Sequence, residues 1–291
     1  MNSSLAAGLF NLMARLPLVV LHRLGVVLGW VVYYLSGEYA ARLRENLRCA
    51  YQNHPSADIS KILKENIAET GKGVTELAWV WRRPLSEVLN RVSACHGLEH
   101  LQAAHLRGSG VIILTPHLGC FEVIATYVAA QMAMTCLYRS PKLTWLDEIM
   151  RNGRQRGNMS LARTDIGGVR TLLKALKRGE VIGLLPDQVP GNGEGEWAEF
   201  FGRPAYTMTL VGRLQEATGA SILLSYGERL PNGRGYVIHI APFEPTADMR
   251  FTRQINAALE QIIRTCPAQY LWSYNRYKIP AGVHPPGNGK S

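Results

Sequence analysis

The sequence predicts an α/β fold: one mixed-sheet domain flanked by helices, with an apolar helix ahead of it. Three observations predict it. Apolar runs of strand length alternate with stretches of helical periodicity between residues 111 and 264. The 291-residue chain has no internal repeat and no composition shift sharp enough to mark a second compact domain. The stretch Val111–Val123 reads as strand, turn and helix in immediate succession, the repeating unit of such sheets.

The elements follow in order. Leu16–Leu35 is apolar, interrupted by Pro17 and the pair His22-Arg23. Only Leu24–Leu35 is unbroken, which is short for a span, and an arginine in mid-span is costly. The segment can be a tilted span, a helix lying in the interface, or a core helix. Arg15, Arg42, Arg44 and Arg48 flank it and suit anionic headgroups, so membrane association facing the cytoplasm is expected. A signal peptide is not expected, because no small-x-small site follows and Glu38–Arg42 continues as helix. Ile59–Val92 has helical periodicity broken at Arg82-Arg83-Pro84, and at least one of Trp79 and Trp81 is expected in the core.

After Val111–Val123, Thr135–Tyr138 reads as a short strand, Leu143–Arg156 as a helix, Val169–Lys177 as an amphipathic helix stopped by Gly179, and Val181–Leu185 as a buried strand. The loop Val189–Glu196 holds three glycines and reads as mobile; it lacks P-loop spacing. Helix 208–217, strands Ser221–Tyr226 and Tyr236–Ile240, and helix Arg253–Arg264 complete the pattern. The Pro/Gly-rich segment after Pro280 reads as a disordered tail.

Composition narrows the function classes. With 47% hydrophobic residues the chain is too polar for a bundle of membrane spans. Its 32 basic and 22 acidic residues give +10, which favours an anionic partner: nucleic acid, an anionic membrane or an acidic protein. The five cysteines (49, 95, 120, 136, 266) are scattered and without CxxC pairs, so reduced thiols and no metal site are expected.

Chemistry centres on His117 and Glu122. His117 stands where an apolar strand ends at Thr115-Pro116, and Glu122 follows in the first turn of the next helix. Open α/β sheets bind ligands at the carboxyl ends of their strands. A carboxylate there can curl back to the second ring nitrogen and make the imidazole a general base. The spacing alone is weak: 8 histidines and 22 acids in 291 residues give about 0.6 chance matches. His239 and Glu244 match it too, but alternation makes His239 a strand residue and Pro242 and Pro245 forbid a following helix. That second pair is read as structural, whereas His117 has the strand–turn–helix setting.

Thr115–Glu122, TPHLGCFE, resembles the HxxxxE block of the bacterial lipid A late acyltransferases, the lauroyl and myristoyl transferases of lipopolysaccharide assembly. Blocks in the same order support it: RENLRCAY (44–51), HGLEHL (96–101), YRSP (138–141), GRQRGN (153–158), LLKALKRGEVIGLLPDQ (172–188), EFFGRPAYT (199–207) and QYLWSYNRYK (269–278). Where the family often has HLGNWE, this chain has HLGCFE, a change at packing positions that leaves the base–acid assignment intact. The resemblance implies a glycerolipid-acyltransferase-like fold and a three-part chain: a membrane-associated helix (1–40), an acyltransferase domain (41–280) and a tail (281–291).

The resemblance further implies O-acyl transfer from acyl carrier protein to a hydroxyl of a phosphorylated lipid A precursor, at the cytoplasmic face of the inner membrane. His117 is the expected base and Glu122 its orienter. The GRQR block marks Arg154 as oxyanion partner, with a solvated helix face as the alternative. The PDQ block marks Asp187 for acceptor positioning or an arginine link, with a loop cap as the alternative. Arg139 and Lys142 in YRSPK can contact acceptor phosphates or simply be solvated. A thioester is already activated, so no protein nucleophile is required and no GxSxG elbow is present; Cys120 reads as a packing residue. No cofactor is expected. The rivals are the same chemistry on a lysophospholipid, mannosylated phosphoinositide or ornithine lipid, and a non-catalytic basic binding protein. Glu rather than Asp at the second motif position argues for the glycan-lipid branch. Nucleic acid is disfavoured, since no stacking platform, helix-turn-helix or zinc-finger spacing is present.

Overall fold

The computed structural model describes residues 3–52, 54, 57–141 and 143–285. Four helices come first: α1 (Ser3–Met13), α2 (Leu18–Leu35), α3 (Gly37–Tyr51) and α4 (Ile59–Arg82). Pro17 starts α2 and Ser36 separates it from α3, accepting from the Tyr39 amide. Asp58 caps α4 by accepting from the Lys61 amide at 2.9 Å.

The helix α2 meets α4 through bare backbone. A Cβ on Gly29 would stand 2.1 Å from the Ile67 carbonyl oxygen, and one on Gly71 would stand 1.9 Å from that of Gly25. By length and composition α2 suffices to cross a bilayer. Its docked side, however, buries Leu18, Leu21, His22, Gly25 and Gly29, while Leu24, Val27, Leu28 and Val31 remain exposed. One side of α2 is thus committed to α4 while the other is left uncovered.

The connection to the sheet is α5 (Leu85–Leu89), β1 (Val92–His96) and α6 (Leu98–Leu106), leading to β2 (Val111–Leu114) and α7 (Phe121–Ala129). Next come β3 (Met134–Tyr138), α8 (Thr144–Arg154), β4 (Met159–Arg163), α9 (Ile166–Lys177) and β5 (Val181–Leu184). A hairpin of β6 (Gly195–Phe200) and β7 (Arg203–Met208) follows, then α10 (Leu210–Thr218), β8 (Ser221–Arg229), β9 (Tyr236–Phe243) and α11 (Phe251–Thr265). Seven strands form one sheet in the order β1-β9-β8-β2-β5-β3-β4, and β6 and β7 pair separately. The sheet is mixed because β9 runs antiparallel to β8 and carries β1 with it. The central β2 is wholly buried, with β5 and β8 parallel on its two sides.

Two apolar layers sandwich the sheet. One, around Ile112, Leu114, Leu172 and Ile182, is closed by α9, α10 and α11. The other, around Ile113, Val123, Ile124 and Trp79, is closed by α1, α4 and α7. Both Trp79 and Trp81 are buried, so neither is an interfacial anchor. The hairpin and the strands β1 and β4 were not foreseen, for β1 (VSACH) and β4 (MSLAR) are short and half-buried, with no clean apolar alternation. Of the expected tail, residues 281–285 lie beside β6, where the Trp197 indole donates to the His284 carbonyl at 3.0 Å; residues 286–291 fall outside those described.

A buried ionic cluster joins the helices to the sheet. Arg229, at the end of β8, donates from Nε to Glu76 Oε2 at 2.8 Å and from Nη1 to Glu69 Oε2 at 2.8 Å, while a second contact joins Nη2 to Glu76. His22 of α2 and the Tyr236 hydroxyl complete it, at 3.2 and 3.1 Å from Glu76. Burial resists the Glu76 charge, but Arg229 outweighs it and holds the carboxyl down at about 2.

Candidate active site

The parallel pairing of β2 with β5 builds the site. Leu114 is matched with Leu184, and His117 and Asp187 each lie three residues further on. The two side chains therefore leave the same sheet edge side by side. Asp187 Oδ2 accepts from the His117 amide at 2.9 Å and Oδ1 from the imidazole Nδ1 at 2.9 Å. Burial works against the Asp187 charge, but the His117 contacts prevail and hold its pKa below the ordinary value. An ionised acceptor on Nδ1 requires the proton there, which in the neutral ring makes Nε2 the accepting nitrogen. That nitrogen faces the Gln188 side-chain amide at 3.2 Å.

The expected bond between His117 and Glu122 is not made. Glu122, in the first turn of α7, is gripped by Arg154 at the end of α8. Nε of Arg154 lies 3.0 Å from each carboxylate oxygen, and Nη2 makes a further contact with Oε1. A guanidinium fork satisfies a carboxylate more fully than one imidazole N–H, and Asp187 already occupies Nδ1. The Arg154 guanidinium lies 5.7 Å from the Trp81 ring centroid, against which Gly153 also packs closely. Glu122 still acts on His117 through space. Burial pulls the imidazole pKa down, but Asp187, its hydrogen bond and then Glu122 outweigh burial and Arg154, so the net shift is upward from 6.5.

The His117 side chain is 14% exposed and opens onto a cavity of about 890 Å³. The floor is laid by register: Gly183, Cys136 and Leu161 lie side by side on β5, β3 and β4, with Met134 and Met159 paired beside them. A Cβ on Gly183 would meet Cys136 Sγ and Met134 Cε, both at 2.7 Å, so glycine lets these side chains in. Arg139, Arg170 and Arg213 stand exposed at the rim, against Asp165 and Glu194. Of the six residues singled out in the sequence, His117, Glu122, Arg154 and Arg139 line this cavity, Asp187 lies buried behind His117, and Lys142 falls outside the described residues.

Sequence reasoning missed the strap that holds the histidine in place. Residues 268–274 cross the site from the far end of the chain, and the Leu271 amide donates to the His117 carbonyl at 3.0 Å. Two buried asparagines clamp the strap: Asn66 reaches the Ala268 and Tyr270 carbonyls at 2.8 and 2.6 Å, and Asn46 those of Trp272 and Tyr274 at 2.7 and 3.2 Å. Burial, then the nearby Asp187 carboxylate, push the pKa of the Tyr270 hydroxyl well up and keep it protonated. Gly119 adopts φ +62°, where a Cβ would fall 2.0 Å from the Gly227 carbonyl, so only glycine allows the turn after His117 to press against β8. RENLRCAY, which holds Asn46, and QYLWSYNRYK, which holds most of the strap, were the signal, but not their pairing, and Asn66 lies in neither block.

The family model for bacterial lipid A biosynthesis acyltransferases matches residues 1–279. The chain belongs to that family. It is 28% identical over 286 residues to the lipid A biosynthesis lauroyltransferase of Escherichia coli K12, covering 96% of this chain and 92% of the relative. With the palmitoleoyltransferase of the same strain the identity is 26%, over 94% of this chain and 90% of the relative. A lipid A biosynthesis acyltransferase of Haemophilus influenzae is 26% identical, over 94% and 89%.

The chain is thus an acyltransferase of lipid A biosynthesis, and the geometry bears on how such an enzyme works. The cavity combines a largely apolar floor with an imidazole at its wall, a setting in which an alkyl chain can be held. The thiols beside it are poor nucleophiles. Cys120 is buried, and burial followed by Glu76 pushes its pKa well above 9; burial takes Cys136 to about 12. Among the described residues no cluster of three or more His, Cys, Asp or Glu side chains is placed to hold a metal ion.

Proposed function

We infer that this acyltransferase moves a fatty acyl chain from an acyl carrier protein thioester to a hydroxyl on a phosphorylated lipid A precursor, with His117 as general base. The observation that carries the reading is a single imidazole nitrogen, free of its carboxylate partner, at the head of a cavity shaped for an alkyl chain. The acceptor hydroxyl gives its proton to His117 Nε2 as its oxygen bonds to the thioester carbonyl carbon. The tetrahedral oxyanion collapses, the carbon–sulfur bond breaks, and the leaving thiolate takes the proton back from the imidazolium. Products are an ester and a free carrier thiol.

Asp187 is the proposed orienter of His117, in the place first given to Glu122. Glu122 instead positions Arg154, which lines the cavity and is the proposed oxyanion partner. Arg139, with Arg170 and Arg213, supplies positive charge at the rim for the phosphates of the substrates. The outer face of α2 (Leu24, Val27, Leu28, Val31) is read as lying in the bilayer interface at the cytoplasmic side of the inner membrane, since its inner face is committed to α4.

The direct test is mass spectrometry of products from acyl carrier protein thioesters and a lipid A precursor. A mass gain of one fatty acid, lost in His117→Ala, is the expected result. Transfer that persists at full rate in that variant overturns the mechanism. Transfer to a lysophospholipid instead would name the rival acceptor.

A further inference from the structure

A second cavity, of about 570 Å³, opens where the α1–α2 turn meets the end of α4. Three arginines line it, Arg83, Arg91 and Arg234, against one acid, Glu87, with an apolar wall of Pro17, Leu18 and Trp79. Backbone pairing holds two of the arginines together. Val92 is matched with Tyr236 in the β1–β9 ladder, and the Tyr236 amide donates to the Arg91 carbonyl at 2.8 Å, so Arg91 and the β8–β9 turn bearing Arg234 adjoin. Among the described residues neither Arg91 nor Arg234 has an acidic partner within 4.0 Å, whereas Arg83 has Glu87 at 3.4 Å. Arg83 is anchored by donating to the Arg15 carbonyl at 2.6 Å, and its Nε is buried with no partner.

Like charges brought together at a concave surface raise each other's energy unless an anion joins them. Arg83 is committed to Glu87 and the Arg15 carbonyl, so the donors on offer are the guanidiniums of Arg91 and Arg234, each of a shape that matches phosphate oxygens. The first turn of α2, which contains no acidic residue, adds its positive end to the same place. The apolar side selects among phosphates, because a free ion gains nothing from the exposed Pro17 ring, behind which Leu18 and Trp79 are buried, while a lipid does. The cavity also sits on the sheet edge from which His117 projects: β8 runs parallel to β2, Gly227 bridges to Gly119, and the β8–β9 turn continues beyond that point.

We propose that this arginine-lined groove binds the phosphate of a lipid headgroup. The phosphate belongs either to an anionic phospholipid of the surrounding bilayer or to the phosphorylated glycolipid acceptor. The inference rests on the interfacial placement of α2 given above.

The test uses the full chain in neutral detergent and titration calorimetry with three probes: short-chain phosphatidylglycerol, glucosamine 1-phosphate and inorganic phosphate. The expected result is saturable binding of one of the first two, weakened about tenfold or more in Arg91→Gln/Arg234→Gln and largely retained in Arg91→Lys/Arg234→Lys. Tighter phosphatidylglycerol names the bilayer lipid, and tighter glucosamine phosphate names the acceptor. Binding of inorganic phosphate as tight as either organic probe, no binding of any probe, or undiminished binding in the double Gln variant overturns the proposal. A His117→Ala chain should still bind the probe. Should the wild-type chain bind it yet transfer no acyl group, the proposed function fails while this site stands.

Discussion

Arg154 grips both oxygens of Glu122, and that fork leaves Asp187 as the carboxylate hydrogen-bonded to His117. The site thus holds two carboxylates with two different partners, one imidazole and one guanidinium. The first prediction follows from this division. Asp187→Asn removes the ionised acceptor that fixes the His117 proton on Nδ1, so turnover should fall by roughly 10²–10⁴. Steady-state turnover, with circular dichroism to confirm the fold, checks it; a rate near wild type would return the orienting role to Glu122.

The pH profile separates the two acids. A base works when neutral, and the His117 pKa is raised above 6.5 mainly by Asp187 working against burial, so activity should rise with pH through an acid limb above 6.5. Glu122→Gln removes a smaller upward influence and also frees the Arg154 charge, which acts downward. The acid limb of kcat/KM should therefore move to lower pH in Glu122→Gln, with a reduced plateau. An unmoved limb together with an unreduced plateau would make Glu122 a packing residue.

Glu122 and Arg154 should also behave as a unit. Removing either partner strands the other in a partly buried place, so Glu122→Gln and Arg154→Gln are each expected to be impaired and the double variant no worse than the poorer single. Additive losses in a double-mutant cycle would show that the two act separately.

Stability should hinge on Glu76 and Arg229. Arg229→Met leaves a buried carboxylate without its main partner, at a cost of about 3–5 kcal/mol. Because the Glu76 pKa is lowered from 4.5 to about 2, the stability it contributes is present above pH 4.5 and lost as the pH falls towards 2. Denaturant titrations of the wild type at pH 7 and pH 3 measure the second effect, and the Arg229→Met midpoint at pH 7 measures the first.

The cavity floor predicts chain-length preference. Cys136→Phe places a ring beside Gly183 and Leu161, at an overpacking cost of about 1–3 kcal/mol. The preferred acyl donor should become shorter, read from competition among thioesters of graded length. An unchanged preference would show that the chain lies elsewhere.

The sequence made the central motif legible because an apolar strand, a turn and an amphipathic helix are local patterns. His117 and Glu122 were located this way, whereas Arg154, Arg139 and the role of Asp187 came from the blocks that carry the family resemblance. What local pattern does not encode is which strands become neighbours. Spacing favoured Glu122, five residues from His117, whereas the strand order β2-β5 brings Asp187 across 70 residues and makes it the partner. The same limit hid the Glu76–Arg229 pair, 153 residues apart, and the asparagine clamps on the strap. For α2 the apolar run was plain, but its glycines acquire meaning only beside Gly71.

The strap has a consequence for the birth of the molecule. His117 emerges from the ribosome long before residues 268–274, which hold its carbonyl and stand against its carboxylate partner. A nascent chain can dock α2 on α4 early, since both lie within the first 82 residues. It cannot fix the turn that carries His117 until residues 268–274 have followed. A chain that stops before the strap is therefore expected to keep its N-terminal helices docked while leaving that turn unheld.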